Sequence, residues 1–332
     1  MGGIIPLENI IPSPQRVQRM NHEATLKNKF IHGDQLVNLR QYIDNLIQEI
    51  QDTKKKLLHS KKDENQFLSL SKALQDAREV DAEYMYQLYK ENAIQAEERG
   101  QTEQAKEWNK QAMDVRACLP QFKLEGLWVG KYGDHGYEMI NITYVGDTLV
   151  ATKVTGDKNV PKGQVSFTTN LDPTSTTSTS TTHGTSGNNK NKKIPLKPIE
   201  LTDVASKQWG QKYLHRFSGK GQVASEGFVN REWMEGQLIL VGEYFSFAWI
   251  PIGYQIFFGR PSAELTLKMM KQSRMMDFGL VATADLAEKR AYVQKCFDET
   301  ELLLDEECSI DGVILHSEDD LQYLADVGGG FQ

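Results

Sequence analysis

The sequence is short of cysteine, of long apolar runs and of positive charge. Its 332 residues include three cysteines, Cys118, Cys296 and Cys308. Their wide spacing makes neither a zinc pattern nor an even disulfide framework, so a reducing compartment fits best. No apolar stretch reaches the roughly 18–20 residues that span a bilayer, and no membrane partner is expected. The net charge of −7 argues mildly against nonspecific nucleic-acid binding, so no nucleic-acid partner is expected either. The opening Met-Gly-Gly-Ile-Ile-Pro lacks a basic segment followed by an apolar core, so it does not read as a secretory signal. Pro6 stands where a myristoylation motif wants Ser or Thr. The first thirty residues are not the Ser-rich, acid-poor stretch of a plastid transit peptide. The expected location is intracellular, cytoplasmic or nuclear, with a plastid left open.

Chemistry-bearing groupings are also scarce. His135 lies beside Asp134, with Glu138 three residues on, which invites an acid–base reading. The spacing carries no catalytic signature, and His135 sits in a glycine-flanked turn that suits a loop or a ligand contact better. Gly219-Lys220-Gly221 lacks the length and the Lys-Ser/Thr ending of a phosphate-binding loop. No His/Cys/Asp grouping has zinc spacing. No catalytic residue, no metal and no cofactor is therefore expected, and the chain reads as a non-enzymatic protein.

What is present divides the chain into an α+β arrangement: an N-terminal helical bundle or coiled coil, an antiparallel β-barrel and C-terminal helices. Residues 1–32 hold Pro6, Pro12 and Pro14 and read as a flexible arm. Residues 33–120 read as a helical domain. Leu36, Leu39, Ile43, Leu46, Ile50, Thr53 and Leu57 repeat at alternating spacings of three and four, a heptad seam on a helix over 33–59 with Asp34 as N-cap. The seam suits packing inside one bundle better than self-association through residues 33–60, and both stay open. A second helix begins near Glu64 and continues toward Arg99, where Gly100 stops it. Thr102 caps a third, with Ala105, Trp108, Ala112, Val115 and Leu119 inward. The hairpin around Gly100 is similar to one tetratricopeptide unit, but one unit is not an array.

Residues 121–280 read as the barrel. Leu127, Val129 and Tyr132, then Tyr137, Met139, Ile140, Ile142 and Tyr144, then Leu149, Ala151, Lys153 and Thr155, alternate as strands with one face on a core. Gly146-Asp147 and Gly156-Asp157 supply turns. Residues 172–195 are mostly Ser, Thr, Gly, Asn and Lys and read as a disordered insertion hanging outside the barrel. Strands resume near Tyr213, with turns expected at Gly219, Gly236, Gly242 and Gly253. Phe217, Phe228, Phe245, Phe247, Phe257 and Phe258 are expected inside, and Trp128, Trp233 and Trp249 in the core or at the rim. Ser262 caps a helix that plugs one barrel end, with Leu265, Leu267, Met269 and Met270 on its apolar side. Residues 281–332 hold a further helix over 286–304 and an acidic tail.

Two segments are unusual enough to carry a resemblance. Gly130-Lys131-Tyr132-Gly133-Asp134-His135-Gly136-Tyr137-Glu138 is followed by Lys153-Val154-Thr155-Gly156-Asp157-Lys158-Asn159-Val160-Pro161-Lys162-Gly163. Together with 219–228 and 245–250 they resemble the substrate-binding domain of the F-box receptor family that captures D-type cyclins. That domain family includes the chloroplast EXECUTER proteins. The resemblance covers roughly 122–273. It implies a protein or peptide ligand and an adaptor in protein turnover or signalling. The compact, leucine-dense F-box is not found in residues 1–120, so the ligase role does not carry over.

On the residues themselves, glycines let a ligand approach backbone, and aromatics supply apolar contact. Lys131, Lys153 and Lys158 suit an acidic ligand, and Thr155 and Asn159 suit hydrogen bonds to a chain end. The candidate ligand-binding residues are Lys131, Tyr132, His135, Tyr137, Lys153, Thr155, Asp157, Asn159 and Trp249. The competing readings are an EXECUTER-like singlet-oxygen stress-signalling protein and a small-ligand-binding barrel.

Overall fold

The computed structural model describes residues 25–26, 28–56, 61–172, 196–275, 314–317, 319–320 and 322–323. The expected insertion and the helix over 286–304 lie outside the described residues, as do most of the N-terminal arm and of the acidic tail. The chain divides into two compact units, residues 1–123 and 124–332.

The first unit is helical: α1 (Asp34–Lys56), α2 (Lys61–Glu79), α3 (Ala82–Glu98) and α4 (Thr102–Arg116). α1 packs on α2, and α3 on α4. Leu46 and Thr53 of the seam are buried. Asp34 is the first residue of α1, in its first turn. The single helix expected from 64 to 99 is broken at Asp81. Asp81 leaves helical dihedrals at ψ 108°, and its carboxylate accepts from Glu83 N–H at 3.0 Å and Tyr84 N–H at 3.3 Å, capping α3. Arg40 fixes that corner by donating to Asp81 at 3.0 Å and to Glu83 at 2.5 Å, while Gln121 donates to Glu83 at 3.0 Å. Thr102 is the first residue of α4 and not its cap. Gln101 holds the cap position without a side-chain bond.

The second unit is built on an eight-stranded antiparallel barrel. Its strands are β1 (Gly126–Lys131), β2 (Tyr137–Val145), β3 (Thr148–Lys153), β4 (Val165–Asn170), β7 (Arg216–Ser225), β8 (Val229–Val241), β9 (Tyr244–Trp249) and β10 (Tyr254–Pro261). They pair in that order, and β10 closes on β1 through Val129↔Gly259 and Gly130↔Phe258. Closure joins the first and last barrel strands, so neither is left as the free edge of an open sheet. Between β4 and β7 a two-stranded ribbon, β5 (Ile199–Glu200) and β6 (Tyr213–Leu214), flanks helix α5 (Asp203–Trp209). Helix α6 (Ala263–Met275) and strand β11 (Ile314–Leu315), parallel to β10, complete the described unit.

Aromatic rings fill the barrel axis. Phe167 stacks on Phe247 with centroids 4.2 Å apart, Phe245 stacks on Phe258 at 4.9 Å, and Trp128 meets Phe245 edge-on at 4.8 Å. Each such buried ring contributes about 1.5–3 kcal/mol over leaving it exposed. The rings need room, and glycines on facing strands supply it. Gly219 and Gly236, expected as turns, sit opposite each other in mid-ladder. A Cβ on Gly236 would lie 2.5 Å from Phe247, and one on Gly221 only 2.0 Å from Trp249 Nε1. Gly242 and Gly253 do turn the chain, at φ 58° and 61°.

Three placements differ from expectation. Phe228 is in the β7–β8 turn at φ 59°, with Arg231 over its ring. Phe257 alternates with the inward Phe258 and therefore faces out. α6 does not plug an end: Leu265, Met269 and Met270 cluster with Val129, Met139, Ile239, Val241 and Phe257, the outward residues of the strands. The apolar stripe of α6 is satisfied by this outer face. Ser262 does cap α6, accepting from Leu265 N–H at 3.1 Å. Trp128 and Trp249 are buried, whereas Trp233 is exposed on β8.

Candidate functional site

The barrel is open at the end where β1 meets β2 and β3 meets β4. The sequence between β3 and β4 folds into a self-bonded corner. Asp157 Oδ1 accepts from the N–H groups of Asn159 at 2.6 Å and Val160 at 2.7 Å. Gly163 N–H donates to Lys153 O at 2.7 Å. The corner is tied to the β7–β8 tip, because Asn159 Nδ2 donates to Ala224 O at 3.0 Å and Gly227 N–H donates to Lys158 O at 2.8 Å. Opposite, Tyr132 opens the short turn to Gly136, and its hydroxyl lies 3.0 Å from Ser166 Oγ.

Beneath this rim lies a buried charge cluster. Lys153 is paired with Glu138 and, at 3.1 Å, with Asp157, and its ammonium sits 3.5 Å from the Tyr132 ring centroid. Lys153 and Glu138 are 1% and 3% exposed. One ammonium facing two carboxylates would leave a net negative charge in a desolvated site. Burial pushes Glu138 up to about 8, against the pull of Lys153, with the Asp157 hydrogen bond and charge adding to the rise. Asp157 is held well below the ordinary carboxylate range. Burial opposes that, but the Glu138 hydrogen bond, Lys153 and the Val160 N–H outweigh it. Burial therefore favours the protonated form of Glu138, while Lys153 and the turn N–H groups favour ionised Asp157. Glu138 Oε1 has no hydrogen-bond partner among the described residues.

Tyr132, Lys153, Asp157, Asn159 and Trp249 wall a cavity of about 370 Å³, with exposed His135 at its edge. Two buried atoms of residues that line it, Asn159 Oδ1 and Trp249 Nε1, have no hydrogen-bond partner among the described residues. The opposite wall is Gln222, Val223 and Ala224 of β7. There β7 has lost its β4 neighbour: the β4–β7 register stops at Phe167↔Gly221, while β7–β8 continues to Ser225↔Val229.

Residues 112–263 match the Cyclin D1 binding domain. The match takes in the end of α4 and the barrel through β10. The curated relatives are similar over a shorter stretch. F-box only protein 31-B of Xenopus laevis is 44% identical over 46 residues, 14% of this chain and 9% of the relative. The F-box only protein 31 of Rattus norvegicus is 41% identical over 46 residues, again 14% and 9%, and that of Homo sapiens is 41% over 46, 14% and 8%. The matched stretch thus spans under a tenth of these relatives' length. The domain match and the relatives support a protein-interaction module with a protein partner.

Within the stretch that matches this domain, the nine candidate residues fall into three places. Tyr132, His135, Lys153, Asp157, Asn159 and Trp249 share the end cavity. Thr155 is buried under the corner, where its hydroxyl accepts from Met139 N–H at 2.8 Å. Lys131 and Tyr137 are paired across β1–β2 and both meet Gln322, at 2.7 and 3.0 Å. Lys158 is engaged by Glu226 at 2.9 Å. Sequence reasoning missed Ser166, Tyr254 and the Gln222–Ala224 wall. The segment 219–228 carried the only signal for that wall. Among the described residues no cluster could hold a metal, and no helix is long and apolar enough to cross a membrane.

Proposed function

We propose that the end cavity captures an extended peptide segment of a partner protein. The carrying observation is a pair of buried, unpartnered groups on residues that line it, Trp249 Nε1–H as donor and Asn159 Oδ1 as acceptor. A peptide group offers the complementary carbonyl and N–H. Leaving such buried groups unmet costs about 1–3 kcal/mol each, so a ligand that meets both recovers that cost. The side of β7 beyond Gly221 lacks its β4 neighbour and is engaged there by Asn159 at Ala224 O, so Gln222 and Val223 support the same reading as places where an extended peptide can add along a strand. Tyr132, Tyr254 and Ile252 supply apolar contact. Lys153 then acts by fixing the Asp157 corner, since both carboxylates of the cluster already engage it.

The match to the Cyclin D1 binding domain makes a D-type cyclin tail the first probe. The helical unit fits the role of linking the captured protein to a further machine, an adaptor arrangement in turnover or signalling. The test is a titration of the full chain with a fluorescent D-type cyclin tail peptide and a panel of unrelated extended peptides. Saturable binding is expected, weakened about tenfold in Trp249→Phe, which keeps a ring and removes the N–H. Absence of binding across the panel, or binding unchanged in both Trp249→Phe and Asn159→Ala, overturns the reading.

A further inference from the structure

A second cleft, of about 540 Å³, lies on the outside of the barrel, between α5, the β8–β9 turn and the β11 segment. It shares no lining residue with the end cavity. Its aromatic walls are Trp209, Tyr244 and Tyr323. Trp209 and Tyr244 meet edge-to-face, with centroids 6.3 Å apart and planes at 78°, so they form a corner. The Trp209 ring is held by stacking on Phe257 at 6.3 Å and 14°. Tyr323 is 70% exposed and closes the third side as an unburied flap of ring.

The charges in this cleft have one sign. Glu243 and Asp320 line it, and none of the described residues lining it is basic. Asp320 accepts from the N–H groups of His316 and Ser317 at 2.9 Å each, and those bonds hold it below the ordinary carboxylate range. The hydroxyl of Tyr244 is pushed up by burial and then by Tyr323, Asp320 and Glu243, so the negative field of both acids reaches the aromatic corner. Ring faces arranged as a corner, with carboxylates behind them, attract a cation that carries apolar surface. A neutral apolar ligand would use the rings and gain nothing from the acids. An anion would be repelled.

We propose that this cleft binds a lysine-type alkylammonium side chain of a basic peptide. The ammonium sits against Trp209 and Tyr244, and its stem runs over Leu315. Glu243 and Asp320 balance its charge. Unmodified lysine and its methylated forms share this chemistry, and the site is independent of the peptide capture proposed for the barrel end.

The experiment titrates the full chain with three short peptides that differ at one position: lysine, trimethyllysine and norleucine. Binding of the two cationic peptides is expected, at least about tenfold tighter than norleucine, with tetramethylammonium competing at millimolar concentration. Glu243→Gln and Tyr323→Ala, both at exposed positions, are each expected to weaken the cationic peptides several-fold without lowering the melting temperature. Equal affinity for norleucine reduces the cleft to an apolar groove and overturns the proposal. So does failure of tetramethylammonium to compete, which would assign the contact to peptide backbone, or binding that neither variant weakens.

Discussion

Lys153 and Glu138 meet inside the barrel wall, fifteen residues apart in sequence and both almost fully shielded from water. Ile140 pairs with Lys153 across β2–β3, and Glu138 lies two residues earlier on the same face. The pair anchors the rim that a ligand would meet, because Asp157 on the other side of Lys153 organises the 157–160 turn.

Removing the ammonium leaves two carboxyls facing each other in a desolvated site. Lys153→Met is expected to cost about 3–5 kcal/mol of stability near pH 8. The loss should shrink toward pH 5, where the carboxyls can take up protons. Denaturant unfolding at the two pH values checks both parts. An unchanged stability would contradict the buried pairing.

Glu138 supplies a pH dependence of known sign. Its folded value of about 8 lies above its ordinary 4.5, so between these limits the folded chain holds a proton that the unfolded chain releases. Its contribution is complete below 4.5 and is lost as pH rises through about 8. Each tenfold difference in proton affinity between the folded and unfolded chain is worth roughly 1.4 kcal/mol. Asp157 acts in the opposite sense. Its contribution is present above its ordinary 3.8 and disappears as pH falls below it. The melting temperature should therefore drop by several degrees from pH 6 to pH 9. Glu138→Gln, a permanently neutral isostere, should flatten that drop, which thermal melts on both proteins measure directly.

Gly221 faces the Trp249 indole across the barrel. Gly221→Ala places a Cβ where only 2.0 Å is available. The expected loss is about 1–3 kcal/mol, together with weaker peptide capture as the indole is pushed aside. Gly210→Ala serves as a control, since no atom lies within 4 Å of its Cβ position and only its φ of 66° is strained.

Much of the barrel was legible because period-two alternation survives in 137–153, where every inward residue of β2 and β3 is apolar except Glu138 and Lys153. That same alternation puts Lys153 on the face of Leu149 and Ala151, inside, which is incompatible with a freely offered cation. Its acidic partner was visible too, since Glu138 shares a face with Ile140 and Ile142. The break at Asp81 was not legible. It needs Arg40, forty-one residues away, to hold the carboxylate that caps α3. An amphipathic stripe announces that α6 buries a face but not which surface it meets, so plug and outer brace looked alike. The facing pair Gly219 and Gly236 read as turns because glycine marks close approach and chain reversal equally.

The most direct test of peptide capture is amide hydrogen exchange of the full chain with and without a bound D-type cyclin tail peptide. Capture in the end cavity predicts new protection at Gln222–Ser225 and at Tyr132–His135, with the α1–α4 unit unchanged. Binding with no change at either segment, or protection confined to α1–α4, would contradict it.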